Sequence, residues 1–220
     1  MTGIADRRAA AARLGEALRA LAAASVVSEV PAAELDAIAA EARALAARLA
    51  AAARPAGELA SIDDLAAGVR MYNPVRGEAS PFAPPLRYDD DQEQVSGHVV
   101  IGPGFEGHPG YAHGGATAML FDDALGVAVS RHAWPTVTRQ LAIRYLRPVP
   151  VDQPLLITAA VTGSENGRMT VQGTLSTEAS PGTALATGEG VFVALRPEQA
   201  RALLGTDQGG RPFADGPGGT

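Results

Sequence analysis

The stretch that most limits what this chain can fold into is Tyr111–Arg131, YAHGGATAMLFDDALGVAVSR. Pro109-Gly110 precedes it, and Gly114, Gly115, Ala116 and Ala118 crowd its start. Met119, Leu120, Ala124, Val127 and Ala128 then recur at three- and four-residue spacing, which predicts an amphipathic-to-buried helix. Strand patterns follow. Thr136–Val149 alternates, with Leu141, Ile143 and Tyr145 on one face and Gln140, Ala142 and Arg144 on the other. Leu155–Thr162, Arg168–Ser176 and Ala184–Leu195 continue as strands, with turns at Gly163–Gly167 and Ala179–Gly182. Ahead of the helix, Leu86–Tyr88 and Val95–Ile101 read as two more, on either side of Asp89-Asp90-Asp91. That acidic run reads as a solvated turn, because no spaced ligands or glycine accompany it. Strands joined by short turns imply an antiparallel sheet. The expected class is α+β, a sheet wrapped around a single helix.

The first part of the chain has a different character. Residues 1–54 read as an alanine-rich helical hairpin, alanine being the best helix former. Its first helix carries Leu14, Leu18 and Leu21 on one face and ends near Ser25–Pro31. The second starts at Pro31, a good first-turn residue, and carries Leu35, Ile38, Leu45 and Leu49 near a heptad spacing. Such a hairpin either builds a dimer or covers a substrate, or it is an accessory packing element. Residues 55–85 hold Asn73-Pro74, Pro81 and Pro84-Pro85 and read as a linker. The main domain is expected over 86–196. Residues 197–220 should add a short helical turn and a Gly/Pro-rich tail that is disordered from Gly205.

Composition removes several classes of function. A net charge of −6 argues against a nucleic-acid partner, which would call for a basic stripe. With no cysteine there are no disulfides, thiolate metal sites or cysteine nucleophiles. His98, His108, His113 and His132 lack metal spacing, so no metal is expected. No apolar run reaches the length of a membrane span. Arg13, Glu16 and Arg19 interrupt what could otherwise pass for a signal peptide, so a cytoplasmic location is expected. Gly102–Gly107 formally matches GxGxxG, but a proline sits inside the motif and no βαβ unit follows, so a dinucleotide site is rejected. The glycines more simply let the backbone turn into the helix.

Asp122 and Asp123 stand side by side in mid-helix. Neighbouring helix positions differ by about 100°, so only one can face a given neighbour. Asp122, between Phe121 and its neighbour Asp123 and close to Leu120 and Ala124, is the candidate, and Asp123 reads as solvated.

FEGHPGYAHGGATAMLFDDALG resembles the signature of hotdog-fold acyl-CoA thioesterases of the phenylacetyl-CoA thioesterase (PaaI) type. It is closest to a branch reading roughly EGxPGxxHGGxxAxxxD. The HGG-to-Asp spacing, joined to the later IRYLRPVP, carries the resemblance, which spans about Tyr88 to Leu195 and leaves residues 1–70 outside. It implies hydrolysis of an acyl-CoA thioester by a homodimer or homotetramer, with CoA present only as part of the substrate and no separate cofactor. The other reading is a catalytically weak acyl-CoA-binding or partner-interaction protein. A hotdog hydratase is disfavoured, since Asn73-Pro74 has no histidine three residues on.

The resemblance also implies roles for particular residues. The backbone N–H of Gly114 matches the oxyanion donor, at a helix start that offers free N–H groups, and Gly115 beside it is a substrate-binding candidate because glycine lets an acyl group approach the backbone closely; the plainer reading is a glycine-lined helix start needed for packing. Asp122, nine residues after His113, matches the catalytic carboxylate, as general base or as nucleophile. Thr138, sixteen residues further on, matches a Ser/Thr that orients it. His113 either polarises the carbonyl or makes a local hydrogen bond. Many relatives place an amide in the loop before HGG; here Glu106–Gly110 has none, and His108 and Glu106 are the candidates to replace it. Arg144 and Arg147 lie on the strand that in relatives runs near the CoA entrance, where guanidinium suits phosphate. Gly114 and Asp122 are eight residues apart, about 12 Å along one helix. One carbonyl cannot touch both. If both act, they come from two antiparallel helices across a twofold dimer.

Overall fold

The computed structural model of the chain describes residues 3–65, 67–89 and 94–204. Asp90 and Asp91 of the expected acidic turn, and the tail from Gly205, lie outside the described residues. The chain divides into two compact units, one ending at Pro81 and one beginning at Phe82.

In the first unit, α1 spans Ile4–Val27 and α2 spans Ala32–Ala50. The residues expected to form a linker are not extended: Ala60, Ile62, Met71 and Ala79 make a small core against Ala11 and Ala12 of α1. Gly15 is the one buried residue of α1, and a Cβ there would stand 2.6 Å from the carbonyl oxygen of Glu78. Arg8 Nε donates to the Ile62 carbonyl at 2.8 Å, and Arg19 Nη1 to those of Glu78 and Ser80 at 2.9 and 2.6 Å. Guanidinium forks thus satisfy carbonyls of an irregular segment that no ladder reaches. The second helix differs. It has no buried residue and shares no extended packing face with α1, so both helices form without closing as a hairpin.

In the second unit, α3 (Gly114–Ser130) lies against a six-stranded antiparallel sheet. The strands are β1 (Arg87–Tyr88), β2 (Val95–Val100), β5 (Thr136–Tyr145), β6 (Pro154–Glu165), β7 (Arg168–Thr177) and β8 (Ala186–Ala194), in the order β1-β2-β6-β7-β8-β5. A helix on one face explains the alternating burial of β6, β7 and β8. Helix α3 buries Thr117, Leu120, Phe121, Ala124, Leu125, Ala128 and Val129, a stripe at three- and four-residue spacing. Gly173 and Gly188 are register partners on β7 and β8 beneath it. A Cβ on Gly188 would be 2.5 Å from the Phe121 ring, so the missing side chain is what admits the ring.

Some boundaries differ from those expected. The helix begins at Gly114, because Tyr111–Ala112 forms β4 and pairs with β3 (Glu106–His108) in a small hairpin. The hairpin turns through Gly110 at φ +83°, whose N–H donates to the Glu106 carboxylate. Strands β6 and β7 run on past Gly163 to a tight turn at Asn166-Gly167, both at positive φ, the geometry that a two-residue Asn-Gly hairpin favours. Helix α4 (Pro197–Leu204) follows the sheet. Among the described residues no helix is long and apolar enough to cross a membrane.

Candidate active site

The site is built on the first two-thirds of α3 and on β5, the strand at the edge of the sheet. His113 caps the helix with extended backbone (φ −60°, ψ 139°), and its Nδ1 accepts from Gly115 N–H at 3.0 Å. This is the local hydrogen bond weighed for His113. An accepting Nδ1 is unprotonated, so in the neutral ring the proton sits on Nε2. Gly114 opens the helix, and its N–H donates to nothing among the described residues. The Gly114 carbonyl accepts from Tyr145 Oη at 2.8 Å. Sequence reasoning missed that contact, although Tyr145 was visible on the same strand face as Leu141 and Ile143.

Two turns along the helix, Asp122 Oδ1 accepts from Thr138 Oγ1 at 2.9 Å, so the structure brings these two expected residues together. Asp122 is exposed in the single chain, as is Thr138. Its neighbour departs from expectation. Asp123 is half-buried and accepts from Tyr88 Oη at 2.7 Å, so it is not a purely solvated group. The hydroxyl of Tyr88 on β1 faces the helix and takes up the inward-leaning carboxylate.

A bulge in β5 makes this arrangement possible. Thr138 pairs with Phe192 and Gln140 with Val191, leaving Arg139 as the extra residue. Under strict alternation Thr138 and Tyr145, seven residues apart, would face opposite sides of the sheet. The bulge reverses the parity, and both hydroxyls reach α3.

The remaining candidates lie elsewhere. Glu106 is committed to the loop, its carboxylate held by Gly110 N–H. His108 is exposed on β3, opposite Tyr111. Gly115 is exposed at the helix start. Arg144 is on the sheet face opposite Tyr145, in a polar depression with Gln172, Thr174, Thr187 and Glu189, and so away from Asp122 of its own chain. Arg147 Nη1 is held by the Ala184 carbonyl at 2.6 Å.

A cluster of one histidine and two carboxylates sits apart from these residues. His98 Nδ1 lies 2.6 Å from Glu178 Oε1 and its Nε2 lies 3.2 Å from Asp89 Oδ2. The Glu178 hydrogen bond raises the His98 pKa above its ordinary value, burial pulls it down somewhat, and Asp89 raises it further.

Comparison with known proteins places the fold. The family model of the thioesterase superfamily matches residues 109–182, from the turn before the helix through the β7 hairpin. A crystal structure of a thioesterase superfamily protein superposes with a TM-score of 0.73 at 31% identity, covering 83% of this chain and 90% of that one. A Bacillus halodurans protein solved with CoA is 28% identical (TM-score 0.45; 51% of this chain, 72% of that one). The PaaI protein of E. coli is 17% identical (TM-score 0.46; 50% and 80%). The helix wrapped by an antiparallel sheet is the hotdog fold, and with that 31% identity over nearly the whole of its relative the chain belongs to the thioesterase superfamily.

Proposed function

We propose that the protein hydrolyses acyl-CoA thioesters to a free acid and CoA. Each site is built from the start of α3 in one chain and Asp122 of a second copy. The observation that carries this reading is the exposed carboxylate of Asp122 held by Thr138, on the same helix as a Gly114 N–H that has no partner among the described residues. The two positions lie about 12 Å apart along α3, too far for one carbonyl to span, so the reading requires two antiparallel helices across a twofold axis. The exposure of Asp122, Thr138 and most of β5 in the single chain supports it.

The chemistry needs no metal or redox group. Gly114 N–H donates to the thioester oxygen as negative charge develops there, aided by the dipole of the helix start. His113 Nε2–H, left free because Nδ1 is taken, offers a second donor at the same helix end. Asp122 then acts in one of two ways. As a base it takes a proton from water while the water oxygen bonds to the acyl carbon, the C–S bond breaks and the CoA thiolate is protonated. As a nucleophile its oxygen bonds to the acyl carbon while the C–S bond breaks and CoA leaves as a thiolate that is then protonated; water opens the resulting acyl anhydride, releasing the acid and restoring the carboxylate. The lack of an amide in the Glu106–Gly110 loop keeps a second reading open, a protein that binds acyl-CoA and turns it over poorly.

Thiol release from short, long and aryl acyl-CoAs decides between them, with wild type measured beside Asp122→Asn. Turnover lost in a folded variant that still binds acyl-CoA supports hydrolysis through Asp122. A wild type that binds every acyl-CoA tested and releases thiol from none sinks the enzyme reading.

A further inference from the structure

We infer that α2 is a self-association element that pairs antiparallel with α2 of a second copy of this chain. The inference does not rest on the proposed chemistry. Leu35, Ile38, Leu45 and Leu49 are each 38–54% exposed, on a nineteen-residue helix with no buried residue. Most helical stability in proteins comes from packing an apolar face rather than from propensity, so this exposed stripe gains from a partner. With Ala42 the stripe advances 3-4-3-4 through 35, 38, 42, 45 and 49, the repeat of a coiled-coil seam rather than of a broad core-facing surface.

The two shoulders of the seam identify the occupant and its direction. One shoulder carries Glu34, Glu41 and Arg48, each just before a seam residue; the other carries only Ala39 and Ala46. Parallel pairing would set the charged shoulder against alanines and gain nothing from it. Antiparallel pairing brings like shoulders together. When Ile38 sits opposite Leu49 of the second copy and Ala42 opposite its Leu45, Glu41 of each helix meets Arg48 of the other, twice per pair. Ala39 meets Ala46 on the far side, where small side chains let the backbones approach. The neighbouring register, Leu35 opposite Leu45, would pair Glu34 with Arg48 twice but would also oppose Glu41 to Glu41, a repulsion that the first register lacks. Charge complementarity therefore selects one register of one self-paired dimer.

The chain has no cysteine, so introduced ones report without background. Ile38→Cys and Leu49→Cys are made singly in the full-length protein, then oxidised separately and as an equimolar mixture. In the inferred pairing each cysteine lies about 16 Å along the helix from its own copy but opposite the other variant's, and a disulfide needs Cα atoms within roughly 7 Å. Covalent dimer should form in the mixture and be lost from either variant alone. Dimer from single variants would show parallel pairing, and dimer from none of the three would show that α2 does not pair with itself; both overturn the inference. Adding Glu41→Arg to both variants should slow cross-linking by roughly ten-fold, and Glu41→Arg with Arg48→Glu should restore it, as two surface pairs turned repulsive and then attractive predict. Equal rates in all three backgrounds would overturn the assigned register.

Discussion

Gly114→Pro separates the proposed oxyanion donor from the fold that holds it. Gly114 is the first residue of α3, where proline's fixed φ suits the helix. His113 before it already has the extended backbone that a following proline demands. Because the Gly114 N–H donates to nothing among the described residues, folding loses no backbone bond when it is removed. The added Cβ would stand 3.3 Å from Tyr145 Oη, the end of a side chain that is 53% exposed and able to shift by a few tenths of an ångström. Giving up the Tyr145 hydrogen bond costs about 1 kcal/mol, and stiffening the unfolded chain returns about 0.4–1 kcal/mol. Stability should therefore change little. Catalysis should change a great deal, since one lost oxyanion donor is worth about 2.7–4 kcal/mol, or roughly a hundred- to thousand-fold in kcat. The assay is thiol release from the best acyl-CoA, with thermal unfolding followed in parallel. Gly114→Ala is the companion variant: it keeps the N–H, meets the same Tyr145 contact and should stay within several-fold of wild type. A proline variant with unchanged unfolding and a kcat near that of the alanine variant would refute the assignment of this N–H.

The other predictions test the support around the site. Thr138→Val removes the hydroxyl that donates to Asp122 Oδ1 at 2.9 Å; a hydrogen bond to a charged group is worth about 1.5–3 kcal/mol, so kcat should fall roughly ten- to hundred-fold, Thr138→Ser should recover most of it, and an unchanged kcat in the valine variant would remove Thr138 from the mechanism. Gly188→Ala should destabilise the fold by about 1–3 kcal/mol through overpacking, because its Cβ would press to 2.5 Å from the fully buried Phe121 ring; denaturant unfolding measures this, and recovery on adding Phe121→Leu would locate the clash. His98, with a raised folded pKa between Glu178 and Asp89, contributes stability that is fully present below its unfolded pKa near 6.5 and is lost as pH rises through the higher folded value. The cluster is well exposed, so the effect should be about 1 kcal/mol or less; His98→Gln should flatten that part of the stability–pH curve, and an unaltered curve would show that the cluster does not couple to folding.

The elements were legible where a period was present. The 3.6-residue stripe of α3 and the alternation of β5 to β8 both report burial against a single partner surface, and Asn166-Gly167 carried its own turn signal inside the wider turn expected there. Features that depend on a single residue's environment were not legible. Nothing in Thr138-Arg139-Gln140 marks a bulge, yet it puts Thr138 and Tyr145 on the same side of the sheet. Of the two adjacent aspartates, sequence reasoning singled out Asp122, which Thr138 contacts, but could not see that Tyr88 would draw Asp123 inward, because β1 and α3 are thirty-five residues apart at that contact. The alanine-rich helices were plain from composition, but an apolar stripe does not say whether its cover lies within the chain. For α2 it does not lie on α1.

The two self-pairings argued above constrain each other. Under the proposed mechanism the α3 pairing is isologous about a twofold axis, and the α2 pairing inferred here has the same symmetry. If both share one axis, the assembly closes at two chains and each interface reinforces the other. If the axes are distinct and cross at right angles, the assembly closes at four chains with two kinds of dimer contact. Glu41→Arg, a change on α2 and not among the candidate site residues, distinguishes these cases by sedimentation at a concentration where the weakened α2 pair dissociates: a shared axis leaves the mass at two chains, whereas separate axes drop it from four to two. Thiol release per chain should survive in both cases, because the α3 pairing is intact. If turnover fell together with the mass, the site would depend on α2, and the division of labour argued here, with chemistry on the α3 pair and assembly on the α2 pair, would be wrong.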